Sequence, residues 1–445
     1  MRLDASSDAP PASVRRLLSV LRVCLAAVLV ALALVHLSQV VNYSQYYRGV
    51  ALVAVSGVGF LVLAALLFVR SRVVRWTAAW VGCVLALACL LTPLVRDLDY
   101  IALEPNLVEV IDVQGDGMPG IAGVQHITTD AMGYRATEPI DYGHSAPGLR
   151  VFTIGGSTTE EIHHDDRLTW SHLLGDRLEE ILGEDVQVAN TGVSGTRSPH
   201  HAATLAHVLP YHPDVAVFLV GVNDWNEHVR RVMLLGPSLS TEDYGVLETH
   251  RRLRALTLGE SILAVALERA KSASVGATAE ASTQKIERGE YYTRQNHSLD
   301  RPRKVEFRPD RVDPIFDAYL RRIAETCRAS GIVCVFVTQP HGYRAATAQE
   351  FRDRFWMTPP NVDYTLDLAS LGALADLYNR HLEEVGGELG VTVCDVASGI
   401  EPSFRHLYDE VHLNLEGSRH FAELLAPCVA AAVEASGKTQ RRNAS

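Results

Sequence analysis

Ser157 closes the run FTIGGSTTE (Phe152–Glu160), where an apolar stretch meets two glycines and then a hydroxyl. Such a turn suits three purposes: a plain strand-to-helix bend, a phosphate-binding loop, or a bend that holds a serine out as a nucleophile. Gly155 and Gly156 permit a tight exit from a strand, and a following helix would aim its free N–H groups at negative charge near Ser157. A phosphate loop of this geometry also needs a lysine, and GGSTTE has none. A nucleophilic serine needs a histidine base with an orienting carboxylate. YDEVHLNLEGS supplies Asp409 and His412, three positions apart. In a bent loop that spacing can turn the carboxylate onto Nδ1 and leave Nε2 for the hydroxyl. The oxyanion of a tetrahedral intermediate needs donors. ANTGVSG offers the Gly192 N–H, which can approach closely, and VGVNDWN offers the Asn223 side-chain amide. Each segment alone reads equally well as an ordinary turn.

The elements that must position these residues are legible around them. Short β-branched runs bounded by turn residues predict strands at 149–154, 186–190, 215–220, 333–338 and 391–394. Amphipathic helices are expected between them: 170–182 behind an N-cap at Thr169, 198 or 199 to about 209, 314–328, 366–385, and a closing helix over 415–435. This alternation predicts a parallel sheet covered on both faces. The candidate residues follow successive strands or lie in the last loop, at the carboxyl edge where open α/β sheets bind ligands. Four unrelated turns would have no reason to supply a nucleophile, an oriented base and two donors at one edge.

The first hundred residues have a different character. They hold nine arginines, no lysine and four aspartates, a formal +5, whereas the remainder carries −16 of the total −11. An acidic main domain argues against a nucleic-acid partner. Three apolar runs of about the length that crosses a bilayer, 23–41, 49–69 and 76–95, predict three membrane spans. Arginines concentrated before the first run and between the second and third place the N-terminus in the cytoplasm and everything after 96 outside it. The expected organisation is a cytoplasmic tail (1–22), a three-helix membrane anchor (23–95), a connector and pre-core segment (96–148), a catalytic domain (149–435) interrupted at about 225–313, and a disordered tail (436–445). The interruption, with a helix expected over 262–271, reads as a lid, a substrate-binding surface or a passive insertion. No CxxC pair occurs, so zinc is not expected, and Cys327, Cys334, Cys394 and Cys428 read as buried thiols although the compartment permits disulfides.

With these residues in view, the chain resembles the SGNH hydrolases, the GDSL-like lipases and acylhydrolases, from about Arg150 to the final helix. GGST (155–158) matches the nucleophile block, with Gly156 where the family name has an aspartate. NTGVSG (190–195) matches the block whose glycine contributes to the oxyanion hole, GVND (221–224) the block whose asparagine is the other donor, and DEVH (409–412) the Asp-x-x-His block. The resemblance implies a three-layer αβα domain with a flavodoxin-like parallel sheet. It also implies Ser157, Asp409 and His412 as catalytic residues, with the Ser157 and Gly192 N–H groups and Asn223 forming the oxyanion hole. TTDAMGYR (128–135) resembles an Asn-x-x-Gly-Phe-Arg element that precedes the catalytic core in many such proteins, with Asp130 in place of the asparagine. Its role is unassigned.

EIHHDD (161–166) and TQPHGY (338–343) lie near the same edge, making His163, His164, Gln339 and His341 candidate substrate contacts. Adjacent histidines point apart, so no metal is expected there. The sequence therefore predicts a membrane-anchored, extracytoplasmic serine esterase needing no cofactor, acting on an ester-bearing small molecule, lipid or envelope glycan. An O-acyltransferase acting on an envelope polysaccharide or glycolipid is the first alternative. A catalytically silent glycan- or lipid-binding protein is the second.

Overall fold

The computed structural model describes residues 12–43, 50–95, 97, 99–137, 140–143, 148–235, 249, 252–254, 256–263, 282–286, 303–355 and 364–438. The chain forms two compact units, Met1–Leu98 with Gly245–Thr278, and Asp99–Tyr244 with Ala279–Ser445.

The first unit packs three helices, α1 (Ala12–Tyr43), α2 (Val50–Leu66) and α3 (Arg72–Val95). Their core includes Leu29, Leu32, Phe60, Ala64 and Ala86. Helix α1 starts eleven residues before the expected span, since no glycine or proline interrupts 12–22. Among the described residues, two helices are long and apolar enough to cross a membrane, Ala12–Gln39 and Arg72–Leu94. The expected middle span is a helix of only 17 residues, because the chain leaves it at Leu66 and turns over 67–70.

Part of the interruption belongs to this unit. Leu256 and Leu258 pack on the helix core, His36 Nε2 accepts from the Leu258 N–H at 2.9 Å, and Thr92 Oγ1 accepts from the Ile262 N–H at 3.0 Å. That stretch is thus docked on the helices of its own unit. The expected helix over 262–271 lies outside the described residues after 263.

The second unit opens with an antiparallel hairpin, β1 (Val108–Met118) and β2 (Ile121–Thr128), where the sequence suggested a plain connector. The main sheet consists of β3 (Leu149–Gly155), β4 (Val186–Asn190), β5 (Val215–Leu219), β8 (Val333–Val337) and β10 (Thr392–Cys394), all parallel, in the order β10-β8-β5-β3-β4. Between them the interruption contributes β6 (Ser282–Ile286), which pairs with β1, and β7 (Arg303–Val305), which pairs with β9 (Tyr364–Leu366). The five-stranded order is the flavodoxin-like 2-1-3-4-5, whose switch point lies between β3 and β5. Every residue of those two strands is buried, as expected for central strands covered on both faces.

Helices α5 (Trp170–Leu182), α6 (Ser198–Val208), α7 (Val222–Leu235), α8 (Pro314–Ser330), α9 (Leu368–Leu389) and α10 (Leu415–Ser436) form the outer layers, with the one-turn α4 (Ser157–Glu160) after β3. Side chains of Thr169, Asp313, Asp367 and Asn414 cap four of these helices. Fully buried Trp170 of α5 packs against Phe421 of α10 with ring centroids 5.1 Å apart.

One pair of cysteines departs from the sequence expectation. Cys394 at the end of β10 and Cys428 on α10 form a disulfide, their Cα atoms 6.0 Å apart. A separation of 34 positions carries no local signal that strand and helix will meet there. In the chain-entropy account a loop of that size is worth about 3–4 kcal/mol. Cys428→Ser is therefore expected to lower the melting temperature measurably, and reductant should do the same to the wild type; an unchanged transition would show that the bond carries no stability.

Candidate active site

Ser157 is the first residue of α4, immediately beyond β3 at the switch point. Its Oγ lies 2.8 Å from His412 Nε2. The other ring nitrogen, Nδ1, lies 2.8 Å from Asp409 Oδ2 and 3.0 Å from Oδ1. Asp409 Oδ1 also accepts the N–H groups of Val411 at 3.0 Å and His412 at 2.8 Å, so the bent DEVH loop folds its own carboxylate back onto the imidazole. Asp409 is completely buried. Burial acts to raise its carboxyl, but the imidazole and the two backbone donors outweigh it and hold the group below the usual carboxylate range.

The two glycines before Ser157 are required by close approach. A Cβ on Gly155 would lie 2.1 Å from Thr159 Oγ1 and 2.5 Å from the Leu219 carbonyl, while one on Gly156 would lie 2.8 Å from Asn223 Nδ2. Asn223, on the first turn of α7, thus presses its amide against the serine turn. One of its two N–H groups donates to the Thr196 carbonyl at 2.9 Å, leaving the second directed elsewhere. Ser157, as the first helical residue, has no intrahelical acceptor for its N–H.

Gly192 also meets α4 closely: a Cβ there would lie 2.3 Å from the Glu160 nitrogen. Its N–H, however, donates to Asn190 Oδ1 at 2.9 Å. The expected donor is therefore engaged inside its own turn. The same loop is pinned by Glu160, whose carboxylate accepts from both Ser194 N and Ser194 Oγ at 2.5 Å. Burial raises the Glu160 carboxyl despite those bonds.

The four candidate substrate contacts divide. His163 Nδ1 lies 3.3 Å from the Tyr408 hydroxyl, and the Tyr408 ring stacks on His412 with planes 4° apart, so His163 sits beside the Ser157–His412–Asp409 cluster. Burial, and next the neighbouring His412, push its pKa down to about 4. The other three turn inward. His164 is buried against Ser418, which also donates to Glu161. Burial drives His164 down to about 3 and the Glu161 carboxyl up to about 8. His341 Nε2 lies 3.1 Å from Asp376 and its side chain is fully covered. Gln339 is buried, accepts from Thr158 Oγ1 at 3.2 Å and donates to the Val411 carbonyl at 3.4 Å. It bridges the segment after Ser157 to the loop carrying His412, where a substrate contact was expected. A strand-end position predicted the edge correctly but not the side-chain direction, which depends on Thr158 and Val411 arriving from distant segments.

The GDSL-like Lipase/Acylhydrolase family matches residues 153–420, more than half of the chain. No curated protein matches it. Similar solved structures include LAE5, an alpha/beta hydrolase enzyme from the metagenome of Lake Arreo, Spain, at 14% identity over 66% of this chain and 97% of that one, with a TM-score of 0.36. TesA matches at 14% identity over 64% and 99%, also with a TM-score of 0.36. The psychrotrophic esterase EstA from Pseudoalteromonas sp., in a structure inhibited by monoethylphosphonate, matches at 9% identity over 63% and 97%, with a TM-score of 0.34. With the Ser157 turn, the Asp409–His412 loop and the Gly192 and Asn223 loops at one edge of a parallel sheet, and the family match spanning all four, the chain belongs to the GDSL-like lipase/acylhydrolase family, the SGNH hydrolases.

Proposed function

We propose that this protein is a membrane-anchored serine esterase working outside the cytoplasm. Ser157 Oγ attacks the ester carbonyl while His412 Nε2 takes its proton and then passes it to the leaving alcohol. Asp409 holds the imidazole in the tautomer that keeps Nε2 free to accept, and stabilises the imidazolium that forms. The oxyanion is met by the Ser157 N–H and the second N–H of Asn223; Gly192 would join them by releasing Asn190. Water then frees the acyl group from Ser157. The apolar α1, α2 and α3 provide the anchor, the 17-residue α2 lying at the short end of what crosses a bilayer. With the arginine bias setting the N-terminus inside, three crossings put the catalytic unit outside. The Cys394–Cys428 disulfide supports an oxidising compartment for the catalytic unit.

The observation that carries this reading is the 2.8 Å separation of Ser157 Oγ and His412 Nε2, with Asp409 at 2.8 Å behind the ring. The direct test incubates the full chain in detergent with p-nitrophenyl acetate and longer-chain esters, with and without soluble glycans as acceptors. Free acid identifies a hydrolase. Acyl glycan in its place identifies a transferase, and no turnover with either leaves a binding protein.

The donor assignment has its own test. Asn223→Ala is expected to slow turnover about a hundred- to a thousandfold. Gly156→Ala should move the same way by about tenfold or more, because the new methyl would stand only 2.8 Å from the Asn223 amide nitrogen and push it aside. The double variant should be no worse than Asn223→Ala alone. Full activity in Gly156→Ala would remove Asn223 from the oxyanion hole.

A further inference from the structure

The TTDAMGYR turn contributes nothing to the triad or its donors, yet its last residue runs to the nucleophile. Helix α4 is only four residues long and cannot be stable by itself. Its terminal carbonyls are instead taken one by one by side chains from elsewhere. Trp170 Nε1 donates to the Thr158 carbonyl at 2.8 Å and Asn190 Nδ2 to that of Thr159 at 2.7 Å. Arg135 takes the rest: Nη1 donates to the carbonyls of Glu160 and, at 2.9 Å, Glu161, and Nη2 to that of His164 at 2.7 Å. Nε and Nη2 meanwhile grip Asp166 Oδ1 at 2.9 and 2.8 Å. Arg135 is 2% exposed.

We propose that Arg135 is a positioning residue for the nucleophile, its guanidinium fixing the far end of α4 and thereby the place of Ser157 Oγ against His412. The turn is built to deliver it. Asp130 Oδ1 accepts from the Met132 and Tyr134 N–H groups at 2.8 and 3.0 Å, and Gly133 takes φ +81 where a Cβ would meet the Leu103 carbonyl at 2.3 Å. The Arg135 backbone then exchanges two hydrogen bonds with Asn190, at 2.9 and 3.0 Å. One arginine thus ties the nucleophile helix to the strand end that opens the Gly192 loop. Just beyond α4, Glu161 adopts φ +50, a left-handed conformation that a buried non-glycine residue holds only when its surroundings impose it. Lysine cannot replace the arginine, since three donors at a point do not reach carbonyls and a carboxylate spread around a planar fork.

This inference rests on Ser157 being the nucleophile, and the experiment separates the two. A fluorophosphonate is titrated against wild type, Ser157→Ala, Arg135→Lys and Arg135→Ala, with kcat and KM for a p-nitrophenyl ester measured beside the labelling rate. Labelling that survives in Ser157→Ala overturns the nucleophile itself. With that control negative, folded Arg135→Lys is expected to lose about tenfold or more in both labelling rate and kcat, with KM within about twofold. Tens of millimolar guanidinium should restore part of both in Arg135→Ala. Wild-type labelling and turnover in folded Arg135→Lys would overturn the inference. Should neither arginine variant fold, Asp166→Asn, which keeps the shape but weakens the grip on Nε, decides: slower labelling supports the role and an unchanged rate refutes it.

Discussion

Ser157→Ala is expected to abolish fluorophosphonate labelling and to lower ester turnover by about ten-thousandfold to a millionfold, the range seen when the nucleophile of a serine triad is removed. The size follows from the geometry. Once Oγ is gone, His412 has no hydroxyl to deprotonate, and only binding, the backbone N–H of residue 157 and the Asn223 amide remain to stabilise charge. Fold and stability should be little altered, because the change removes a single oxygen whose hydrogen bond among the described residues is the one to His412 at 2.8 Å. Circular dichroism and the melting temperature check that expectation. A residual rate within about tenfold of wild type would place the nucleophile elsewhere, and the candidate would then be only a bend between β3 and α4.

Asp409→Asn is expected to cost about ten-thousandfold in kcat while leaving the site's shape intact. Oδ1 of Asp409 accepts two backbone N–H groups, from Val411 and His412, so an asparagine must keep its oxygen at that position. Its amide nitrogen then falls where Oδ2 stands, 2.8 Å from His412 Nδ1. Two donors cannot face one another, so Nδ1 gives up its proton and Nε2 carries it, turning an N–H toward the Ser157 hydroxyl in place of a lone pair. The base is lost without any movement of the ring. KM should change little, since the carboxylate is buried behind the imidazole. Turnover within about tenfold of wild type would exclude Asp409 as the orienter.

Much of the catalytic unit was legible because its signals are local. The five strands of the parallel sheet announce themselves as short β-branched runs, and their ends fall within a residue or so of expectation. Thr169, predicted as a cap, accepts the His172 N–H at 3.3 Å. Asp409 and His412 meet within one loop, so their spacing alone encodes half of the site. Less of the front was legible: the β1–β2 hairpin alternates around charged and glycine residues and reads as a connector, and the third strand of its sheet, β6, arrives from more than 160 positions away.

Contacts between distant segments decided everything else. That Ser157 and His412, 255 positions apart, stand at hydrogen-bond distance is a property of the 2-1-3-4-5 order, which brings the ends of β3 and β5 together beneath the last loop. The Cys394–Cys428 bond, the inward turn of Gln339, His164 and His341, and the capture of the Gly192 N–H by Asn190 follow likewise from which neighbour fills each space. Composition and periodicity report what a residue can do within its own few neighbours, and so the amino-acid order named the chemistry. A side chain's direction and partners are settled by close packing, and that exists only once the chain has folded.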